Sequence, residues 1–187
     1  MLSHQGTKRL LSERLILRPF ARGDGKAMFF NWASDEYTVA RMIWDLYQSE
    51  AQAERMVRQW VAAYHSPSVY HWAIVPLTVH RPIGSISVVR CQDYLETAEV
   101  GYCIGSRWWN QGYVSEALGM VMDFLFDQVG FHRIEARHDE ENHASGRVME
   151  KNGMKREGLL RGGYKRKDGT FGTMVLWGIT AEDREKE

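Results

Sequence analysis

The segment GYCIGSRWWNQGYVSEALG, residues 101–119, joins two different hydrophobic patterns through a short turn. Its first half ends a run with the alternation of a β-strand, over about 97–105, and its second half has the spacing of an α-helix. The turn between them holds two tryptophans, an Asn-Gln pair and a glycine. The pattern therefore predicts a strand that leads directly into a helix near the middle of the chain.

The turn has the composition of an anion-binding site. A helix that begins near Tyr113 presents unpaired backbone N–H groups and the positive end of its dipole, which together suit a phosphate or pyrophosphate. Gly112 has no Cβ and lets the backbone approach such a ligand. Four neighbouring side chains add hydrogen-bonding groups or positive charge: Arg107, Asn110, Gln111 and Ser115. Ordinary turn chemistry is the alternative interpretation.

Two common nucleotide-binding motifs are absent from the sequence. It contains no G-x-x-x-x-G-K-S/T, and no G-x-G-x-x-G follows a strand. An ATPase or a nicotinamide-dependent enzyme is therefore disfavoured. A phosphate site without those motifs leaves other phosphate-bearing cofactors, of which coenzyme A is one.

Periodicity and capping patterns place the other elements. The segment ERLILRPF, with Leu15 and Leu17 on one face, predicts a first strand. Asp24 predicts a helix cap, and the pattern S-x-x-Q at 49–52 predicts a capping box before an amphipathic helix. The later elements are strands at about 69–76, 83–91, 97–105 and 133–139, helices at about 115–128 and from Asn142 to Lys151, and two closing strands around the D-G turn of KRKDGTFG.

This order of elements, β-α-α-β-β-β-α-β-α-β-β, predicts an α/β fold with a mixed sheet and helices on both faces. It does not match a doubly wound dinucleotide fold. The chain has 187 residues without repeats or a linker, so we expect one domain over residues 1–187.

Composition excludes some classes of function. A formal net charge of zero argues against a protein that mainly binds nucleic acid. Cys91 and Cys103 lie in apolar stretches without metal-ligand spacing, which favours reduced thiols and a reducing cytosol. The sequence has neither a signal-type apolar run nor the ~18 apolar residues that span a bilayer. We therefore expect a cytoplasmic protein with no membrane partner.

Three blocks of the sequence resemble the GNAT superfamily of acetyl-CoA-dependent N-acetyltransferases. AEVGYCIGSRWWNQGYVSEAL, at 98–118, resembles the fourth strand, pyrophosphate loop and following helix of that family. ERLILRPF and HRIEARHDEENHASGRVMEKNGMKREGLLR, at 132–161, resemble the branch of ribosomal-protein alanine and serine N-terminal acetyltransferases. The blocks occur in the same order and spacing over nearly the whole chain. The resemblance implies the GNAT-type acetyltransferase fold.

The resemblance also implies where coenzyme A lies, in the gap between the splayed fourth and fifth strands. Its pantetheine is expected along the backbone of Tyr102, Cys103 and Ile104, and its pyrophosphate at the amides of residues 110–115. Asn142 matches an asparagine expected near the pantetheine, and it is also placed as a helix cap. This sequence departs from the family pattern at Trp109, Asn110 and Val114.

Acetyl transfer to an amine needs a neutral nucleophile, a donor for the oxyanion and a proton for the departing thiolate. Glu99 matches a glutamate common in this branch and is expected to be the base, directly or through water. A salt bridge to a neighbouring strand is the alternative role for Glu99. A backbone amide near Cys103 or Ile104 is the expected oxyanion donor.

The expected acid is less well defined by the resemblance. The family tyrosine is Met149 here, which cannot donate a proton and is expected in the core or the pocket wall. Ser145 matches a serine of the branch and is expected to hydrogen-bond the coenzyme sulfur; an ordinary first-turn serine is the alternative. Tyr164 and water are the other candidates. Tyr164 lies in the loop that enters the last hairpin and is also expected at the acceptor site.

The resemblance implies that the acceptor site involves the first two helices and the last hairpin. The first region is rich in aromatic and acidic residues, including Trp32 and Trp44, which suit a cationic amine. Plain helix packing is the alternative, and the basic hairpin is either an acceptor contact or a solvated turn. No metal site is expected, because the spacing in HDEENH, 138–143, fits no common zinc pattern.

Three functions remain compatible with the sequence. The first is acetylation of the N-terminal α-amine of a protein or peptide, and the second is acetylation of a small amine such as an antibiotic, polyamine or metabolite. The third is a non-catalytic acyl-CoA-binding module. The sequence does not separate a monomer from a homodimer, or acetyl from longer acyl donors.

Overall fold

The computed structural model of the protein describes residues 1–184. One eight-stranded sheet has the order β1-β2-β3-β4-β5-β6-β8-β7. Neighbouring strands are antiparallel except β5 and β6, which are parallel. The strands are β1 Leu10–Leu11, β2 Leu15–Pro19, β3 His71–Pro76, β4 Gly84–Gln92, β5 Thr97–Ile104, β6 Arg133–Asp139, β7 Lys155–Lys165 and β8 Phe171–Thr180.

The parallel pair β5 and β6 separates soon after it begins. Thr97, Ala98 and Glu99 pair with residues 133–135, and the rest of β5 has no strand partner on that side. On its other side β5 stays paired with β4 as far as Ile104. A gap therefore opens in the sheet along the second half of β5, as the predicted splaying requires.

Helices cover both faces of the sheet. They are α1 Asp24–Met28, which continues as a π-helical turn Phe29–Ala33, α2 Glu36–Val39, α3 Glu50–Ala63, α4 Tyr113–Asp123, which continues as a π-helical turn Phe124–Val129, α5 His143–Lys151 and α6 Ala181–Arg184. One core cluster joins α4 to the sheet and includes Leu15 and Leu17, both fully buried. A second cluster, around Trp32 and Val57, joins α1 and α3 to the other face. The predicted mixed α/β architecture is confirmed.

Local signals account for several element ends. Ser49 accepts a hydrogen bond from the backbone N–H of Gln52 at 3.3 Å at the start of α3. Asn142 caps α5, and Gly169 provides the positive φ of the D-G turn. The prediction for Asp24 was wrong, because Gly23 is the N-cap of α1. Asp24 instead accepts two hydrogen bonds from the guanidinium of Arg18, which ties the helix to β2.

Neither membrane spans nor disulfides occur in the described part of the chain. No helix among residues 1–184 has the length and apolar character to cross a bilayer. Cys91 and Cys103 are both free thiols, as predicted.

Candidate functional site

A cleft of about 520 Å³ lies where β5 and β6 part. Its walls are the second half of β5, the turn and first residues of α4, and the first turns of α5. Ten of the predicted cofactor residues line it: Tyr102, Cys103, Ile104, Asn110, Gly112, Tyr113, Val114, Ser115, Asn142 and Ser145. The structure therefore brings together residues that are up to 43 positions apart in sequence.

The first turn of α4 faces this cleft without a side-chain cap. Gly112 is its N-cap and has a φ of +80°, which an L side chain rarely adopts. Asn110 also has a positive φ, of 59°, so the chain turns sharply between β5 and α4. The uncapped N–H groups and the dipole of this 11-residue helix leave an anion-binding terminus at the cleft wall.

An ion pair fixes the start of α4 against the N-terminal hairpin. Arg14 donates to Glu116 at 2.7 Å and to the backbone oxygen of Gln111 at 3.1 Å, and Ser12 donates to Glu116 at 2.6 Å. Burial disfavours the charge of Glu116, but the hydrogen bonds from Ser12 and Arg14 outweigh it and lower the pKa of the carboxyl. The turn before α4 is thus held by residues nearly 100 positions upstream.

Two predicted cofactor residues do not line the cleft. The guanidinium of Arg107 lies over the ring of Trp108 at 5.7 Å, and the side-chain amide of Gln111 donates to the backbone oxygen of Arg107 at 2.9 Å. Both side chains thus hold the turn together from outside the cleft. Positive charge at the cleft comes instead from Arg41, Arg147 and Lys151.

The wall formed by α5 carries the predicted Asn142 and Ser145. The side-chain oxygen of Asn142 accepts from the backbone N–H of Ser145 at 3.4 Å. The hydroxyl of Ser145 donates to the phenol oxygen of Tyr102 at 3.3 Å, across the gap from β5. Burial raises the pKa of the Tyr102 phenol, so the group is neutral at ordinary pH. Met149, on the same helix, is buried in the core as predicted.

Glu99 lies outside the residues that line the cleft. Its carboxylate pairs with Arg90 at 3.1 Å and with Arg137 at 2.7 Å, and its side chain is 12% exposed. Glu99 therefore joins β4, β5 and β6 at the point where the parallel pairing ends. This is the salt-bridge role that the sequence left open, and the role of base remains a prediction.

The predicted acceptor residues are not at the cleft either. Trp32 is 1% exposed and belongs to the second core cluster, so its side chain is buried away from the cleft, and its role in substrate binding stays a prediction. Trp44 packs against Tyr47, and the phenol of Tyr164 donates to Asp139. A π-helical turn carries Trp32 inward, and the local sequence pattern contains no signal for that geometry. The α2 region contributes Thr38, Arg41 and Met42 to the cleft instead.

Asp35 has a role that the sequence did not indicate. Its carboxylate accepts from the backbone N–H of Ser106 at 2.7 Å, from Thr38 at 2.7 Å and from the backbone N–H of Tyr37 at 3.1 Å. Burial opposes the charge, but the hydrogen bonds from Ser106 and Thr38 outweigh it and lower the pKa of the carboxyl. Asp35 therefore anchors the turn after β5 to the α2 region.

Potential metal ligands converge elsewhere. Asp139, in the segment HDEENH, is paired with Arg166 rather than grouped with its neighbours. Among residues 1–184, one group of metal-binding side chains, His4, Cys91 and Asp93, brings its ligand atoms within 4.8 Å of one another. Cys91 donates to Asp93 at 3.1 Å, and none of the three lines the cleft. These residues could hold a metal ion, apart from the cleft.

Comparison with known proteins identifies the fold and the family. The Acetyltransferase (GNAT) domain matches residues 14–155, which is more than half of the chain. N-acetyltransferase YoaA of Bacillus subtilis (strain 168) is 32% identical over 152 residues, covering 81% of this chain and 85% of YoaA. Ribosomal protein uS5-alanine N-acetyltransferase of Escherichia coli (strain K12) is 31% identical over 84 residues, covering 45% of this chain and 43% of that enzyme.

Solved structures have the same fold. The microcin C7 self-immunity acetyltransferase MccE, in complex with acetyl-CoA and AMP, aligns with a TM-score of 0.82 at 15% identity, covering 90% of this chain and 93% of the MccE chain. The predicted family, fold and acyltransferase class are thereby confirmed. The chain belongs to the GNAT acetyltransferase family.

Proposed function

We propose that this single-domain acyltransferase moves an acetyl group from acetyl-CoA to the N-terminal α-amine of a protein or peptide, by direct attack in a ternary complex. The observation that carries the proposal is a continuous path for a ligand. The edge of β5 that has no strand partner leads along the cleft into the uncapped first turn of α4. An extended, phosphate-bearing ligand fits such a path, because a strand edge offers backbone hydrogen bonds and a helix N-terminus favours an anion.

The residues of the cleft fit coenzyme A at both ends of that path. The backbone of Tyr102, Cys103 and Ile104 is the edge that would pair with the pantetheine. The amides from Asn110 to Ser115 would receive the pyrophosphate, where the bare Cα of Gly112 leaves space. Arg147 and Lys151 lie one turn apart on α5 and line the opposite wall, where their charge suits the phosphates. MccE, whose structure contains acetyl-CoA, has the same fold.

Acetyl-CoA supplies an activated thioester, and the protein residues orient it and the amine. Proximity of the two reactants contributes on the order of several kcal/mol to such a reaction. The amide of Ile104, on the edge of β5 that faces the gap, is our candidate for the oxyanion donor, because the register of β4 and β5 turns the amide of Cys103 toward β4. Ser145 lines the cleft, and its hydroxyl is our candidate to donate a hydrogen bond to the departing sulfur. Glu99 is our candidate base, acting through water, because its carboxylate lies outside the cleft.

A protein N-terminus is the proposed acceptor because the E. coli relative, by its name, acetylates an alanine of ribosomal protein uS5. A small amine is the second candidate, and a specific contact favours it. Lys167, in the last hairpin, donates to the backbone oxygen of Val39 at 2.9 Å and also contacts that of Trp44. These contacts of Lys167 join the last hairpin to the segment around α2, the two regions expected to bind the acceptor. They would leave less space for a large acceptor to enter.

The deciding experiment measures thiol release from acetyl-CoA by the purified protein. Acceptors would be peptides with Ala, Ser or Met N-termini, the same peptides with blocked N-termini, aminoglycosides, polyamines and amino acids. We expect release with the free peptides only. Release with small amines alone would support the second candidate. Tight acetyl-CoA binding without release for any acceptor would contradict both and favour a non-catalytic acyl-CoA-binding module.

A further inference from the structure

Tyr102 and Ser145 meet across the gap between β5 and α5. The phenol of Tyr102 donates to the backbone oxygen of Ser145 at 3.1 Å, and the hydroxyl of Ser145 donates to the phenol oxygen at 3.3 Å. Both residues line the cleft. Because β6 no longer pairs with β5 at this level, these two bonds connect the walls of the gap.

The backbone of Ser145 is held on both sides. Its N–H donates to the capping side chain of Asn142 at 3.4 Å, and its carbonyl oxygen accepts from Tyr102. The remaining freedom of Ser145 is the rotation of its side chain, and that side chain also contacts Tyr102. The phenol therefore contacts both the backbone and the side chain of the serine.

We propose that Tyr102 is a positioning residue that directs the hydroxyl of Ser145 toward the departing sulfur, an inference that rests on the function proposed above. Hydroxyl hydrogens rotate, so the same two oxygens allow a second arrangement. In it Tyr102 donates to Oγ of Ser145, and Ser145 donates into the cleft. A hydroxyl that accepts one hydrogen bond becomes a stronger donor in the next.

The step balances without ionising either residue. The C–N bond forms, the C–S bond breaks, and the sulfur takes the electron pair of the broken bond. The proton that the amine loses goes to the base or water, and a proton is delivered to the sulfur from solvent. Tyr102 and Ser145 begin and end with their own hydrogens. The burial that raises the pKa of the Tyr102 phenol keeps this hydrogen in place across the working pH range.

The methionine at position 149 makes the pair of Tyr102 and Ser145 important. Met149 stands where the resemblance implies a tyrosine, and its buried thioether has no hydrogen to donate. Tyr102 brings a phenol to the gap from β5, on the side opposite α5. Tyr102 and Ser145 thus provide hydroxyl groups at the gap, whereas Met149 on α5 provides none.

The test is a double-mutant cycle of Tyr102→Phe and Ser145→Ala, with kcat and KM measured for the best acceptor and Kd measured for coenzyme A. We expect Tyr102→Phe to lower kcat about tenfold, the loss typical of one hydrogen bond, and to change KM and Kd less than about twofold. In the Ser145→Ala background, Tyr102→Phe should have almost no further effect on kcat. Tyr94→Phe is the matched control, since its side chain is 97% exposed.

Two kinetic results would overturn the inference while the wild-type protein remains active. One is an unchanged kcat in Tyr102→Phe, and the other is an equal loss in both backgrounds, which would make Tyr102 independent of Ser145. A wild-type protein that acetylates no amine would instead contradict the proposed function and this inference together. Thermal unfolding of each variant identifies a loss of kcat that follows from unfolding, which would also overturn a positioning role.

Discussion

The carboxylate of Asp35 accepts a hydrogen bond from the backbone N–H of Ser106 at 2.7 Å. Asp35 precedes α2, and Ser106 is the second residue after β5, so one bond joins the α2 region to the turn that leads into α4. Asp35 is also the N-cap of α2, through Tyr37. The side chain of Asp35 thus connects α2, on the acceptor side of the proposed site, to the turn before α4, on the coenzyme side.

Two substitutions separate the roles of Asp35. Asp35→Ala should lower the free energy of unfolding by about 1–2 kcal/mol, because both the cap and the link to Ser106 are lost. Asp35→Asn should retain most of that stability, since asparagine also caps helices, but its amide cannot accept from Ser106 while its oxygen caps α2. We expect weaker coenzyme A binding in both variants. Calorimetric titration and thermal unfolding check this, and wild-type affinity in Asp35→Asn would contradict it.

Gly112→Ala should weaken coenzyme A binding. The residue has a φ of +80°, and a Cβ there would lie 3.4 Å from Nη2 of Arg14, at the wall of the cleft. Backbone strain should also cost about 1 kcal/mol of stability. Gly130→Ala is the matched control, because its φ is +89° and a Cβ would meet nothing within 4 Å. We expect similar destabilisation in both variants and loss of affinity in Gly112→Ala alone.

The sequence predicted those features that depend on neighbouring residues. Alternation found the strands, and the side chain of Asn142 could be recognised as a cap because its partner is three residues away. The turn before α4 was also recognised, through Gly112. The unpredicted features depend on contacts between distant residues. Nothing near Asp35 or Glu99 in sequence indicates Ser106 or the paired arginines, and the burial of Trp32 follows from a π-helical turn.

His71 should make stability fall as the pH decreases below about 6.5. Its ring lies against Trp60 at 4.3 Å and Phe20 at 5.2 Å, and burial lowers the pKa of the imidazole from 6.5 to about 4. Between these values the unfolded chain binds a proton that the folded chain does not, so acidification favours unfolding. The contribution of neutral, buried His71 to the free energy of unfolding is present above pH 6.5. It decreases by on the order of 2 kcal/mol as the pH falls toward 4.

His71→Phe tests this origin of the pH dependence. Phenylalanine retains an aromatic ring and does not titrate, so the variant should show a flatter dependence of unfolding free energy between pH 6.5 and 4. Urea unfolding of both proteins across that range provides the comparison. Identical slopes would show that other groups are responsible.

Glu99→Gln is expected to separate a base from a structural ion pair when it is compared with Glu135→Gln. Glu135 is the register partner of Glu99 on β6, and it is also paired with two arginines, Arg90 and Arg133. Either substitution leaves guanidinium groups without one carboxylate, so each should cost about 1–3 kcal/mol of stability. If Glu99 receives the amine proton through water, Glu99→Gln should reduce kcat about a hundredfold while coenzyme A affinity stays within twofold. Glu135→Gln should retain most of its turnover. The two variants lose comparable ion pairs at the same level of the sheet. Equal turnover in both would therefore show that Glu99 holds the strands together where the gap begins. The base would then be one of the groups that line the cleft, such as His143 or Glu141.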